Sequence, residues 1–384
     1  MWRHIASNAI TFLIVLLFLL AGVIAWGGNT YRAAGPLQTA ICLQVPGGSN
    51  FRDVSDNLLE ENAISSSMLF LVGADYADRT DKLKAGSFLI EDGASMSEIV
   101  DAITGSGVST CGTEIVYRVG VTRTQVQVRE LDPETNRFAE VAAFNPLEEE
   151  PPSTYLTIKE GQDTRFRVAV AEGVTSWQIA ESLNALDVLD GEVAEVPAEG
   201  TLAPDSYEFR PGDDPNVIIA EMAARQDVIL ANAWAARADD VPLQSAEEAL
   251  ILASIVEKET GLAEERRQVA SVFTNRLNQG MRLQTDPTVI YGITKGKGVL
   301  GRGLRQSELR GRTPWNTYVI DGLPPTPIAN PGRASIEAAL NPDTTDFIFF
   351  VADGTGGHAF ATNLDDHNRN VAAWRAIEAE RANN

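Results

Sequence analysis

Glu257 is the residue with the clearest chemical potential; it lies in the run ASIVEKETG, residues 253–261. On a helix turning about 100° per residue it shares a stripe with Leu250 and Ala253, whereas Glu259, two residues on, points roughly 200° away, toward water. A carboxyl group on an apolar stripe is either stabilised by partners or keeps its proton, because burial disfavours the charged form. A carboxylic acid that stays protonated near neutral pH can protonate the oxygen that leaves when a glycosidic bond breaks. The position suits a structural ion pair with Arg266 or Arg267 equally well, and spacing alone leaves both readings open.

The helix that carries this group has its own start signal. Ser245 followed by Glu248 has the spacing of a capping box, the apolar pattern continues to Thr260, and Gly261 supplies the left-handed residue that commonly closes a helix. Upstream, two stretches read alike: VPGGSNFRDVSDNLLEENAI (45–64) and VAEGVTSWQIAESLNALDVL (170–189). They set Gly48 against Gly173, Val54 against Ile179 and Leu58 against Leu183, and AGSFLI at 85–90 matches PDSYEF at 204–209. Each unit reads as short strand, glycine turn, amphipathic helix, second strand and second helix. Residues 114–128 alternate as a strand does, and residues 145–154, rich in glutamate and proline, read as a solvated connector. Near the C-terminus, strands at 347–351 and 358–362 flank the GTGG turn at 354–357.

Composition narrows the functional classes. The chain has 384 residues of which 44% are hydrophobic, enough for two or three domains with real cores. A net charge of -22 repels a phosphate backbone and excludes nucleic acid as a partner. Three histidines and two distant cysteines leave little for a metal centre, so no metal and no cofactor is expected. Residues 9–26 are uncharged and nearly all apolar, long enough to span a bilayer of about 30 Å. Arg3 precedes them without an acidic neighbour, which keeps the short tail in the cytoplasm and exports everything after about residue 29. A cleaved signal peptide is the rival reading, but Trp26-Gly27-Gly28 offers no small-x-small site and favours an uncleaved anchor. Export would allow Cys42 and Cys111 to form a disulfide; lone cysteines are as often small buried apolar residues.

Four runs carry a resemblance: ASIVEKETG (253–261), VASVFTNRLNQGMRLQTDPTVIYG (269–292), WNTYVIDGLPPTPIANPG (315–332) and FVADGTGGHAFATNLDDHN (350–368). Together they closely resemble the MltG (YceG-like) family of endolytic murein transglycosylases. The resemblance implies a single N-terminal anchor, LysM-like units and a catalytic domain whose essential residue, the first glutamate of ASIVEKE, is Glu257. It also implies a reaction that needs one carboxyl group. The acid protonates the oxygen leaving C1 of N-acetylmuramic acid, then as a base takes the proton of the same sugar's C6 hydroxyl, closing a 1,6-anhydro ring without consuming water. The implied partners are peptidoglycan glycan strands, the membrane and peptidoglycan synthases, and the implied place is the cell inner membrane with the C-terminal bulk in the periplasm.

The remaining motif residues suit a polar cleft around that acid. Gln284, Thr285, Asn316, Thr317 and Tyr318 offer hydrogen-bond partners for an acetamido sugar, and Tyr291 and Trp315 offer flat faces for stacking. Each also fits a packing or turn role. Asp286 is the one rival second carboxylate, with Glu259 turned away and Glu264 and Glu265 beyond the helix end; preceding Pro287, it also suits a turn brace. His358 reads either as satisfied within its hairpin or as orienting substrate or supporting Glu257. Arg266, Arg267, Arg276 and Arg282 suit ligand carboxylates or neighbouring acids alike. The glycine-rich stretch 295–303 lacks the Gly-Lys-Ser/Thr of a phosphate loop and reads as a loop at the cleft edge.

The expected fold is α+β, with an N-terminal transmembrane helix, repeated small LysM-like α/β units and a mixed α+β catalytic domain. The expected boundaries are a tail at 1–8, an anchor at 9–28, a first unit at 41–107, an inserted strand-rich segment and linker at 108–165, a second unit at 166–244 and the catalytic domain at 245–384. Two alternatives to a lytic transglycosylase stand: a hydrolytic muramidase using a second carboxylate such as Asp286, and a noncatalytic peptidoglycan-binding scaffold of the synthase complex.

Overall fold

A computed structural model of the chain describes residues 2–105, 109–161 and 164–383. Met1 and the boundary expected at 107/108 lie outside them. Two compact units emerge: residues 1–115, 127–143 and 151–165 form one, and residues 116–126, 144–150 and 166–384 the other.

The first unit begins with α1 (Trp2–Arg32), whose stretch Thr11–Arg32 has a mean hydropathy of 2.4 and no buried share and is long and apolar enough to cross a membrane. After it come β1 (Ile41–Val45), α2 (Phe51–Glu60), α3 (Ser67–Tyr76), β2 (Gly86–Ile90) and α4 (Met96–Thr104). β1 and β2 pair antiparallel with Cys42 opposite Leu89 and Val45 opposite Gly86. Leu43, Val45, Phe88 and Ile90 on the strands meet Val54, Leu58, Phe70, Ile99 and Ile103 on the helices in one core. Local chemistry starts the helices: Asn50 and Asp53 form a capping box on α2, and Ser95 and Glu98 another on α4. The sequence pattern foresees one helix between β1 and β2; α3 is a second, begun by the Ser66 cap. Cys42 and Cys111 are joined in a disulfide with 5.6 Å between their Cα atoms.

β3 (Thr113–Val119), β4 (Thr124–Asp132) and β5 (Arg137–Phe144) follow, then the short α5 (Ser153–Ile158) and β6 (Arg165–Val170), α6 (Ser176–Asn184) and β7 (Ser206–Phe209). Five strands form one sheet in the order β5-β4-β3-β6-β7. The segment expected as an insertion therefore adds its strands to a sheet shared with β6 and β7. β6 and β7 pair antiparallel with Phe166 opposite Phe209, the same strand, helix, strand order that β1, α2 and β2 follow.

The chain from residue 210 on is mainly helical: α7 (Pro215–Ala235), α8 (Ala246–Glu259), α9 (Arg266–Asn278), α10 (Asp286–Thr294), the single-turn α11 (Gln306–Leu309) and α12 (Arg333–Leu340), then the hairpin β8 (Phe349–Ala352) and β9 (His358–Ala361), and α13 (Leu364–Asn383). α8 is the central element. Every residue from Ala249 to Val256 is buried, against Phe273 of α9, Ile336 and Ala339 of α12 and Ile229 of α7. Ser245 caps it through the Glu248 amide, while the Glu248 carboxylate returns to the Gln244 amide and not to that of Ser245. Its end differs from expectation: Thr260 is extended at φ -141, and Gly261 is not left-handed. The hairpin turns through Gly354 and Gly356, both at positive φ, and sets Ala352 opposite His358.

Candidate active site

A helix buried on all sides has no water-facing stripe, so the two carboxyl groups at the end of α8 diverge into two different interior environments. Glu259 does not face water as the stripe pattern suggests. It sits among Thr285, Asp286, His358 and Arg276, and burial, followed by the Asp286 charge, pushes its pKa above the ordinary carboxylate range. The expectation failed because the apolar face of α8 is its whole circumference.

Glu257 meets the glycine turn that follows β6 and the entry to α12. Its Oε2 accepts a hydrogen bond of 2.9 Å from the Gly332 amide, and its Oε1 has no hydrogen-bond partner among the described residues. Gly173, at φ +78, brings the turn so close that a Cβ there would lie 3.6 Å from the Glu257 Cγ. Lys258 donates to the Gly173 carbonyl at 3.2 Å. Burial lowers the Lys258 pKa, against the raising influence of Glu257 and Glu199. Asn330 ties this arrangement together and is fully buried. Its carbonyl accepts from the Gly173 amide at 2.9 Å, its Nδ2 donates to the Val174 carbonyl at 3.0 Å and to Ser176 Oγ at 3.2 Å, and its Oδ1 accepts from the Leu202 amide at 3.0 Å.

Around Glu259 the structure gathers six of the residues singled out from the sequence, Arg276 among them. The Thr285 hydroxyl donates to Glu259, and the Thr285 amide donates to Thr317 Oγ1 at 3.1 Å. The Tyr318 hydroxyl donates to Asp286 at 2.7 Å, and burial raises the Tyr318 pKa, as does that bond. His358 is held by Glu265, which accepts from its amide at 2.8 Å and lies 2.8 Å from its Nδ1. Glu265, read as merely lying past the helix end, is thus the partner that fixes the histidine.

Other candidates have their bonding capacity taken up internally. Asn316 is fully buried, its Nδ2 donating to the carbonyls of Glu308, Leu309 and Gly311 and its Oδ1 accepting from the Tyr318 amide; it builds the loop. Gln284 is exposed, in a left-handed conformation at φ 50, with its amide donating to the Thr317 carbonyl. Tyr291 and Trp315 pack on each other with ring centroids 5.7 Å apart, and Lys295 covers the Trp315 ring at 3.5 Å. Tyr291 also bonds Glu199, whose pKa burial raises. Of the four arginines, Arg267 pairs with Asp343, Arg282 with Asp321, and Arg276 donates to the Ile348 and Leu283 carbonyls. Arg266 alone reaches the Glu257 side, 4.0 Å from Glu172.

A model of the YceG-like family matches residues 142–373. The chain is 29% identical to the endolytic murein transglycosylase of Bacillus subtilis strain 168, over 86% of this chain and 84% of that protein. It is 28% identical to the endolytic murein transglycosylase of Streptococcus pneumoniae serotype 2, over 96% of this chain and 65% of that protein. A crystal structure of a protein described as YceG-like from Listeria monocytogenes aligns with 86% of this chain and 99% of its own, at 25% identity and a TM-score of 0.46.

Proposed function

Because this chain belongs to the YceG-like family, we propose that it is a lyase acting on peptidoglycan: an endolytic lytic transglycosylase that cuts the bond from N-acetylmuramic acid to N-acetylglucosamine in nascent strands and leaves a 1,6-anhydro end. Glu257 is its acid and base. The observation that carries this assignment is the state of its carboxyl group, with one oxygen fixed by the Gly332 amide and the other without a hydrogen-bond partner among the described residues. A fixed, half-satisfied carboxyl group can deliver a proton to the leaving oxygen and accept one from the C6 hydroxyl with little reorganisation. The internal hydroxyl takes the place of an activated water. Asp286, Tyr318 and His358, on the Glu259 side of the same helix end, supply the polar wall for the sugar; Gln284 lies at its rim, and the buried Thr285, Thr317 and Asn316, with Tyr291, hold that wall in place.

The N-terminal helix anchors the chain in the cell inner membrane and the bulk works in the periplasm. The Cys42–Cys111 disulfide supports that orientation, since such bonds persist in oxidising compartments. The two strand and helix repeats act as LysM-like glycan-binding units, and cleavage close to the membrane ends strand elongation beside the synthases.

One observation favours a second reading. Glu259 is the carboxyl group whose environment favours the protonated form, and Asp286 lies beside it, which suits a hydrolytic muramidase built on that pair. The full-length protein in detergent, given isolated sacculi, separates the two. Glu257→Gln abolishes release of fragments while Glu259→Gln retains it if Glu257 is the acid; the reverse result transfers the role to Glu259.

A further inference from the structure

The glycine turns of the two repeats carry different residues immediately before the left-handed glycine. Where the first repeat has Gly47, the second has Glu172, immediately before the left-handed Gly173. A Cβ built on Gly332 would collide with the Glu172 carboxyl group, so that group rests directly on the residue whose amide fixes Glu257. Arg266 approaches from α9, 4.0 Å from Glu172 Oε2. Arg266 is buried, with its side chain 11% exposed, and its Nε has no hydrogen-bond partner among the described residues. A cation that far from water needs a counter-charge, and among the described residues Glu172 is the carboxylate in ion-pair reach. The charged groups around Glu257 are thus Glu172 from the turn, Arg266 from α9, Lys258 on its own helix and Glu199 beyond Lys258. Burial, then the negative charge of Glu257, raises the Glu172 pKa, and Arg266 opposes them.

We propose that Glu172 is a positioning residue of the transglycosylation: braced by Arg266 and seated on Gly332, it forms a carboxyl pair with Glu257 that fixes where the catalytic proton resides before the substrate arrives. The proposal rests on Glu257 being the acid and base. Interacting carboxyl groups titrate as a pair, and the limbs of a pH–rate profile then belong to the pair. Glu172 undergoes no net change in the cycle. Glu257 gives its proton to the glycosidic oxygen and regains one from the C6 hydroxyl as the C6 oxygen bonds to C1.

Two variants of the full-length protein test this on sacculi, with circular dichroism as the check on folding. Glu172→Gln removes the charge and keeps the shape. Gly332→Ala keeps the charge but dislodges it; its φ of -72 suits alanine, and the new methyl meets the end of a flexible side chain. Both are expected to keep 1,6-anhydro products, to lose about tenfold in kcat/KM near neutral pH and to move the basic limb of the profile down by about half to one pH unit. A profile coinciding with wild type in either variant overturns the proposal, whatever happens to the rate. Glu257→Gln, run in parallel, keeps the two claims apart. If it stays active, the acid assignment fails and the proposal with it; if it is inactive and the Glu172→Gln profile is unshifted, only the proposal fails.

Discussion

Asn330→Ala probes how firmly the glycine turn is held against Glu257. The side chain makes three bonds of 3.0 to 3.2 Å in a fully buried setting. Alanine removes all three. The Val174 carbonyl keeps a partner, because the Asn330 backbone amide also donates to it at 2.9 Å. The Leu202 amide loses its acceptor, and a buried donor left unsatisfied costs about 1 to 3 kcal/mol. Losing the Ser176 bond adds about 1 kcal/mol. The sum is a destabilisation of about 2 to 4 kcal/mol, read as a lowered urea midpoint at unchanged m-value. Asn330→Asp should be no better at neutral pH, since it sets a carboxylate about where Nδ2 now stands, 3.5 Å from Glu199, and it should recover on acidification. A loss below about 0.5 kcal/mol for Asn330→Ala would refute the reasoning, because the bonds would then be worth no more than bonds to water.

Two further outcomes follow from the structure. The folded state holds the Glu259 proton more tightly than the unfolded chain does, because burial raises its pKa. That contribution is fully present below the ordinary glutamate range and is lost as pH rises through the raised value, so Glu259→Gln should flatten the fall in stability over that interval. Urea midpoints across the interval check it, and an unchanged slope contradicts it. The disulfide closes a loop across a sequence separation of 69 residues. Cys42→Ser with Cys111→Ser should therefore cost about 4 kcal/mol of unfolding free energy, and a loss under about 1 kcal/mol would show that the unfolded chain gains little freedom without it.

What was legible in the sequence was local. The Ser245 cap and the glycines of the β8–β9 turn act within four residues, and the elements they start or join are where the pattern places them. The end of α8 was not legible, because an amphipathic stripe has meaning only for a helix with a wet face, and α8 has none. Asn316 reads as a ligand because sequence records donors and not their acceptors, which are the carbonyls of Glu308, Leu309 and Gly311 in the preceding loop. Tyr291 and Trp315 likewise have partners that only folding reveals. Glu172 gave one signal, a glutamate where the turn of the other repeat has Gly47, and no local rule connects it to a helix 85 residues on.

The central claim is that the bond is broken by internal attack and not by water, and mass spectrometry of fragments released from sacculi in ¹⁸O-labelled water tests it directly. The account predicts unlabelled muramic ends lighter by one water than reducing ends, absent with Glu257→Gln. Labelled reducing ends would contradict it and make the enzyme a hydrolase.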